Sequence, residues 1–268
     1  MSNSISRREA GDFSGLSQNY QRHRPDYPEE ITAAGVAFLE AGGRACDASL
    51  LAIDVGAGTG ISTRAWRRAL GLACCLVGIE PGQDMCREAV ASTPIEQRID
   101  YLIGTAEALP IATGKGGLVA VGQAAHWFDR PRFYAEASRV LGPAGVIAIM
   151  ANNRDWAQSA FFDRYEAFLE AHSPGYNRRY RSIDFDDELA RLTWIGASVT
   201  CRHRWARRVT RDQIVGLLLS SSLAQRALAA IGADNFFATL SEMIDPAVEA
   251  DGLVHFPYVT EIHLGRRR

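Results

Sequence analysis

Short apolar segments alternate with amphipathic segments along the first half of the chain. Apolar runs that predict strands lie at residues 50–55, 74–80, 99–103, 117–122 and 144–151. Apolar residues spaced three to four positions apart predict helices at 29–42, 61–71, 83–92, 130–141 and 156–171. Strands that alternate with helices favour a parallel sheet with helices on both faces. The pattern therefore predicts an α/β fold of the doubly wound type.

The pattern changes after about residue 152. Residues 156–194 are rich in aromatic side chains and Arg, and they predict helices interrupted near Ser173-Pro174-Gly175. Farther along, residues 197–209 and 253–264 alternate as strands do, and residues 211–231 and 233–244 have a helical pattern. A chain of 268 residues is long enough for one large domain, or for one domain with an added lid.

A glycine-rich turn carries the strongest chemical signal. Residues 50–60 read Leu-Leu-Ala-Ile-Asp-Val-Gly-Ala-Gly-Thr-Gly, so a strand that contains Asp54 leads into three closely spaced glycines and then a helix. A strand, a tight turn and a helix in this order form the first unit of a doubly wound fold. Glycines let a ligand approach the main chain closely, because no Cβ intervenes.

A glycine-rich turn of this kind can bind one of three ligands: a nucleotide phosphate, a dinucleotide or S-adenosylmethionine. A phosphate-binding P-loop needs Lys and then Ser or Thr after its last glycine, but Ile61 follows Gly60. A dinucleotide turn, G-x-G-x-x-G, would need glycine at position 61, and Asp54 would repel a pyrophosphate. The third ligand, S-adenosylmethionine, carries a cationic sulfonium and a cationic ammonium and no phosphate. The carboxylate of Asp54 favours this third ligand.

A second acid follows at the end of the next strand. Residues 73–85 predict a buried strand that ends in Glu80. An acid about 20 residues past the glycine turn can accept hydrogen bonds from the hydroxyls of a ribose. Dinucleotide sites and S-adenosylmethionine sites share this feature, so Glu80 predicts a nucleoside without choosing between them.

Taken together, these motifs resemble those of class I S-adenosylmethionine-dependent methyltransferases. Residues 54–60 and Glu80 resemble the first two motifs of that family, and residues 104–110 and 123–129 resemble the segments after its third and fourth strands. Residues 20–28, Tyr-Gln-Arg-His-Arg-Pro-Asp-Tyr-Pro, resemble the N-terminal segment of a small-molecule branch with trans-aconitate-type and many natural-product enzymes. The likeness covers about residues 18–152.

The resemblance implies a Rossmann-like, seven-stranded, mostly parallel sheet with an antiparallel C-terminal hairpin at its edge. Residues 1–268 would form a single domain. Its parts would be N-terminal cofactor-covering helices at 1–45, a cofactor-binding core at 46–152, a helical lid that holds substrate at 153–195, and strands and helices at 196–268 that complete the sheet.

The resemblance also implies roles for individual residues. The expected cofactor-binding residues are Tyr20, Arg24, Asp54, Gly56, Ala57, Gly58, Thr59, Gly60, Glu80, Pro81, Met85, Thr105, Ala106, Glu107, Gln123 and Trp127. The expected substrate-binding residues are Tyr27, Trp156, Tyr176 and Tyr180. His126 is the candidate general base, since a neutral imidazole works near pH 7. Alternatively, His126 packs beside the cofactor and orients it.

Composition and charge limit the choice of partners. The formal charge of −2 argues against a nucleic-acid surface, and no apolar run approaches the roughly 20 residues of a membrane span. The five cysteines form no C-x-x-C pair, so we expect no metal site. Reduced thiols are typical of a cytoplasmic protein.

We therefore expect a cytoplasmic enzyme, monomeric or homodimeric, that methylates an O, N or C nucleophile of a small molecule, in specialised metabolism. One alternative is a nicotinamide-dependent oxidoreductase, which the glycine spacing, Asp54 and the absence of a Tyr-x-x-x-Lys pair disfavour. Another is a non-catalytic protein that binds S-adenosylmethionine through the same residues. An RNA methyltransferase is disfavoured because the chain has no basic appendage.

Overall fold

One sheet organises the part of the chain that the computed structural model describes, residues 24–179 and 183–268. Its strands run in the order β3-β2-β1-β4-β5-β7-β6. Their bounds are β1 Leu51–Val55, β2 Cys75–Glu80, β3 Ile99–Ile103, β4 Gly116–Gly122, β5 Leu141–Arg154, β6 Ile195–Val209 and β7 Val254–Arg267. The seven-stranded, mostly parallel sheet predicted from the resemblance is confirmed.

The first five strands are parallel, and their order reverses next to β1. β1 pairs with β2 on one side and with β4 on the other. β3 extends the sheet beyond β2, and β5 extends it beyond β4. Ligands of such sheets bind outside the carboxyl ends of the strands at the point of reversal. We therefore expect the ligand site among the residues that follow β1, β2 and β4.

The last two strands are antiparallel to each other. Thr200 on β6 contacts His263 on β7, and two residues farther along β6 Arg202 pairs with Glu261. The partner numbers fall as the β6 numbers rise, which is the register of an antiparallel pair. β7 lies between β5 and β6, so β6 forms the edge of the sheet.

α-Helices occupy most of the described segments outside the strands. Their bounds are α1 Glu29–Glu40, α2 Ile61–Leu70, α3 Gln83–Ala91, α4 Arg130–Val140, α5 Ala160–His172, α6 Phe185–Ala190, α7 Arg211–Leu219, α8 Ser222–Ile231 and α9 Ala233–Ile244. Within the described residues, no single helix is long and apolar enough to span a membrane, and α7 with α8 passes that test only as a pair bent by 92°.

Side-chain caps explain two departures from the predicted helix bounds. The helix expected at 156–171 begins at Ala160, because Ser159 accepts a hydrogen bond from the main-chain N–H of Phe162. The helix expected at 211–231 breaks in two, because Ser221 caps α8 in the same way.

The chain divides into two compact units, and the boundary falls within β5, β6 and β7. The core unit contains residues 26–152, 183–203 and 260–268. Of the described residues, the helical unit contains 24–25, 153–179 and 204–259. In the core unit, consecutive residues of β1, such as Ala52 and Ile53, belong to different apolar clusters, so the sheet is packed on both faces.

The division differs from the lid expected at 153–195. Phe185 and Leu189 of α6 pack in the core unit, whereas α7, α8 and α9 group with α5 in the helical unit. Aromatic packing is the physical reason, because the Phe168 ring of α5 lies edge-on to Phe236 of α9 with centroids 5.7 Å apart. This contact joins segments more than 60 residues apart.

Candidate functional site

The glycine turn after β1 is fixed by main-chain hydrogen bonds. The N–H groups of Gly56 and Ala57 donate to the carbonyl oxygen of Ile79 on β2, at 2.8 and 3.0 Å. The N–H of Gly60 donates to the carbonyl oxygen of Ala57 at 2.9 Å. These bonds place the turn at the carboxyl end of β1, at the point where the strand order reverses.

Gly58 is the open position of this turn. Its φ of 56° lies in the left-handed region that favours glycine, and apart from Gly58 and its two chain neighbours no described residue has an atom within 4 Å of the place where a Cβ would be. At Gly56, in contrast, a Cβ would lie 2.6 Å from the Cβ of Ala124. A ligand can therefore approach the main chain at Gly58.

Glu80 is oriented by two main-chain donors. Its Oε2 accepts from the N–H of Gly58 at 2.9 Å, and its Oε1 accepts from the N–H of Gly82 at 2.8 Å. Burial raises the pKa of Glu80, and these two hydrogen bonds oppose the rise. A carboxylate offers about four acceptor positions, so each oxygen keeps one for a ligand hydroxyl.

Asp54 lies beneath the turn and is fully buried. Its Oδ2 accepts from the hydroxyls of Ser62 and Thr63, both at 2.6 Å. Its Oδ1 has no hydrogen-bond partner within residues 24–179 and 183–268. Burial raises the pKa of Asp54 to about 6. A buried acceptor with unmet bonding capacity suits a cationic ligand group.

The segment after β4 has a strained residue at its start. Gln123 has a φ of 55°, which is uncommon for a residue with a side chain. Its N–H donates to the carbonyl oxygen of Met150 at 3.0 Å, and its side-chain amide donates to the carbonyl oxygen of Asn152. Such strain is found at ligand sites when the surroundings enforce it.

His126 and Trp127 follow in a short 3₁₀ turn, Ala125–Trp127. Both side chains are partly buried, and their ring centroids lie 4.5 Å apart. The structure therefore brings both residues to the end of β4. The roles predicted for them, a base or orienting group and a wall of the adenosine pocket, stay predictions.

Glu107 is engaged in the protein rather than solvated. Its Oε1 accepts from the N–H of Asp129, which precedes α4, at 2.8 Å. Its neighbour Ala106 is buried, whereas Thr105 is exposed. Adenine recognition by this segment stays a prediction.

Other predicted cofactor residues lie after β2. Met85 is buried in α3, and Pro81 is exposed beside Glu80. Tyr20 lies outside the described residues, and Arg24 belongs to the segment grouped with the helical unit.

The predicted substrate residues are found in different parts of the chain. Tyr27 is buried in the core unit, and a Cβ at Gly122 would lie 2.8 Å from its hydroxyl, so the hydroxyl reaches the end of β4. Tyr176 and Trp156 belong to the helical unit, where the Tyr176 hydroxyl donates to Glu166. Tyr180 lies outside the described residues.

Sequence reasoning missed the residues that support the turn from below. Ser62 and Thr63 bind Asp54, and Arg64 donates to the carbonyl oxygen of Thr59. The two hydroxyls had a visible signal, because they lie two and three residues after the last glycine. Arg64 had none, because Arg on a helix usually faces solvent.

Comparisons with known proteins agree with this geometry. Residues 53–149 match the methyltransferase domain family. A methyltransferase of Dictyostelium discoideum is 31% identical over 151 residues, which are 53% of this chain and 52% of that protein. The chain thus spans about half the length of the curated relatives it matches.

Solved structures show the same fold. A structure described as a type II methyltransferase from Anaeromyxobacter dehalogenans has a TM-score of 0.68 at 23% identity, and covers 91% of this chain and 97% of that one. The Haemonchus contortus phosphoethanolamine N-methyltransferase 2 in complex with S-adenosylhomocysteine has a TM-score of 0.52 at 14% identity, over 100% of this chain and 61% of that one.

The residues of the core unit fit S-adenosylmethionine. Asp54 Oδ1 is a buried acceptor without a partner, Glu80 presents an oriented carboxylate, and Gly58 leaves space at the main chain. Residues 53–149 match the methyltransferase domain family in sequence, and the sheet that holds them has the fold of solved methyltransferase structures.

Proposed function

We propose that the protein transfers a methyl group from S-adenosylmethionine to a nucleophilic atom of a small molecule. The observation that carries this proposal is a pair of acids, Asp54 and Glu80, at the turn that contains Gly58. Asp54 supplies negative charge for a cationic ligand, and Glu80 supplies acceptors for ribose hydroxyls. When bound, the cofactor supplies a methyl group on a sulfonium, which is an excellent leaving group.

The chain's own contribution is then to bind, orient and exclude water. Correct orientation of reactants can lower such a barrier by roughly 7–11 kcal/mol. Glu80 is suited to orientation, because two main-chain N–H groups fix its carboxylate before any ligand arrives. No further chemical group is required unless the acceptor atom arrives protonated.

His126 is our candidate for that further group. It lies in the 3₁₀ turn after β4, next to Trp127. If it removes a proton from the acceptor, H126N will lower kcat and abolish the ionisation on the acidic limb of the pH profile. If it only orients the cofactor, H126N will raise the KM for the cofactor and leave the profile unchanged.

A small molecule is the substrate class that the charge distribution supports. Arginines of β6 form ion pairs: Arg202 with Glu261, Arg204 with Asp155, and Arg208 with Asp251. In the helical unit, Arg178 pairs with Glu170 and Asp163. Paired cations offer little to a phosphate backbone. A specialised metabolite, a cytoplasmic location and a monomer or homodimer complete the proposal.

Two measurements test it. Isothermal titration with S-adenosylhomocysteine and with NAD, on wild type and on E80A, should detect only the first ligand, with binding weakened in the variant. Transfer of labelled methyl groups into a panel of small-molecule acids, amines and phenols should then label at least one acceptor. Binding of NAD in place of S-adenosylhomocysteine would overturn the proposal, and binding without transfer to any small molecule or RNA would favour a non-catalytic protein.

A further inference from the structure

A buried arginine lies beneath the glycine turn. Arg64 is the fourth residue of α2, and it is only 9% exposed. Its Nη1 donates to the carbonyl oxygen of Thr59 at 3.0 Å and to the hydroxyl of Thr93 at 3.1 Å. An arginine on a helix is rarely buried to this extent unless its donors are used.

Thr93 connects Arg64 to two other elements. Its hydroxyl donates to the carbonyl oxygen of Ala89 in α3 at 2.7 Å and lies 3.0 Å from the hydroxyl of Tyr101 on β3. Burial raises the pKa of Tyr101, so its hydroxyl stays protonated and can donate to Thr93. The chain Thr59–Arg64–Thr93–Tyr101 thus ties the turn to α3 and β3.

The bond from Arg64 completes the fixation of one peptide group. That group consists of the carbonyl of Thr59 and the N–H of Gly60. Arg64 binds the carbonyl, and Ala57 accepts from the N–H at 2.9 Å. The N–H of Gly58, two residues earlier, donates to Glu80. Arg64 and Glu80 therefore fix the turn at two different main-chain groups, the carbonyl of Thr59 and the N–H of Gly58.

We propose that Arg64 is a positioning residue for the cofactor: with Thr93 and Tyr101 it holds the turn in its binding conformation before the cofactor arrives. It need not touch the cofactor. Its effect is on affinity, because a preformed turn avoids the entropy cost of ordering on binding. The inference rests on the cofactor assignment made above.

Arg67 provides a matched control on the same helix. It is 3% exposed, and its guanidinium also donates to main-chain carbonyl oxygens, those of Gly71, Cys74 and Arg98. These acceptors lie at the opposite end of α2 from the glycine turn. If burial of an arginine matters only for stability, R64M and R67M will behave alike.

The test compares wild type, R64M, R67M and T93V by titration with S-adenosylhomocysteine, melting temperature and amide hydrogen exchange. R64M should raise the Kd about 10- to 100-fold, the range for a lost charged hydrogen bond, and speed exchange at Gly60. R67M should lower the melting temperature and leave the Kd within about twofold. T93V should raise the Kd by a smaller factor, and the double variant R64M/T93V should bind no more weakly than R64M.

Each remaining outcome decides the question. Equal loss of stability in R64M and R67M with unchanged Kd would overturn the inference, as would additive effects in the double variant. If R64M fails to fold, T93V and Y101F, which each remove one hydroxyl, replace it, and an unchanged Kd in both overturns the inference. Absence of binding by wild type would instead refute the cofactor assignment itself.

Discussion

Folding and ligand binding favour different protonation states of the Asp54 carboxyl group. Its folded-state pKa of about 6 is above the value of about 4 for an unfolded chain. The folded state therefore holds this proton more tightly. The resulting contribution to stability is complete below pH 4, decreases as the pH rises to about 6, and is lost above that. At neutral pH the ionised group costs up to about 3 kcal/mol of stability.

D54N should therefore separate folding from binding. At pH 7.5 we expect the variant without ligand to melt at the same temperature as wild type or higher, since the buried charge is gone. Binding of S-adenosylmethionine should become weaker by about tenfold or more, because the negative charge that we propose attracts its cationic groups is lost. Melting curves and titration calorimetry provide both numbers. A variant that is destabilised and binds normally would contradict this account of Asp54.

The same carboxyl group predicts a pH dependence of affinity in wild type. A cationic ligand favours the ionised form of Asp54, so binding should release a proton at pH values near and below 6. The Kd for S-adenosylmethionine should fall as the pH rises from 5 to 6.5 and level off by pH 7.5. Titrations in buffers of different ionisation enthalpy would detect the released proton. D54N is the control, and its Kd should depend less on pH.

Residue identities in the site were predictable only where one short segment determines them. The glycines and Asp54 lie within seven consecutive positions, and Glu80 ends the next strand, so their spacing was visible in the sequence. The support from Arg64 depends on Thr93, 29 residues away, and Glu107 meets the main chain of Asp129, 22 residues away. Contacts of that kind arise from the packed fold and leave no local pattern.

At the scale of elements, the C-terminal arginines close the ends of helices. Arg266 donates to the carbonyl oxygen of Phe38 in the last turn of α1. Arg267 donates to those of Ser138, in the last turn of α4, and Leu141, at 2.5 Å to the latter. Carbonyl oxygens at helix ends lack intrahelical partners and favour cations. Two arginines of the run at 266–268, Arg266 and Arg267, thus stabilise helix ends within the core unit.

R267A should destabilise the protein by about 1–3 kcal/mol, because two partly buried carbonyl oxygens lose their charged donor. R191A is a matched control: Arg191 also lies next to a helix end, but its side chain is 77% exposed and forms its ion pair with a residue of that helix, Asp187. The control should change stability by no more than about 0.5 kcal/mol. Urea unfolding followed by circular dichroism measures both, and equal effects would refute the capping role.

For the whole molecule, two units with separate apolar clusters imply separable functions. The predicted cofactor residues from Asp54 to Trp127 lie in the core unit, and Phe162 lies in the helical unit, fully buried against Phe256. F162A should lower stability by about 3–5 kcal/mol. Its Kd for S-adenosylhomocysteine should remain within about threefold of wild type. An effect on the Kd as large as that of E80A would show that the units do not act separately.

The alternation of strands and helices was predictable because each element is local. Both ends of each of the five parallel strands were predicted to within about three residues. The division into units was not, because it depends on aromatic contacts between α5 and residues near 236 and 256. Hydrophobic periodicity shows that a helix has a buried face, but it does not show what covers that face.

Gly58 has a consequence for how such a domain can change during evolution. Asn and Asp tolerate left-handed backbone better than other residues with a side chain, and the described neighbours leave room for a Cβ at this position. We expect a substitution there to Asn or Asp to strain the turn only modestly, while its side chain enters the space predicted for the nucleoside. We expect one such replacement to abolish cofactor binding while the fold remains, so the identity of residue 58 is the first feature to inspect in relatives of this domain that no longer bind the cofactor.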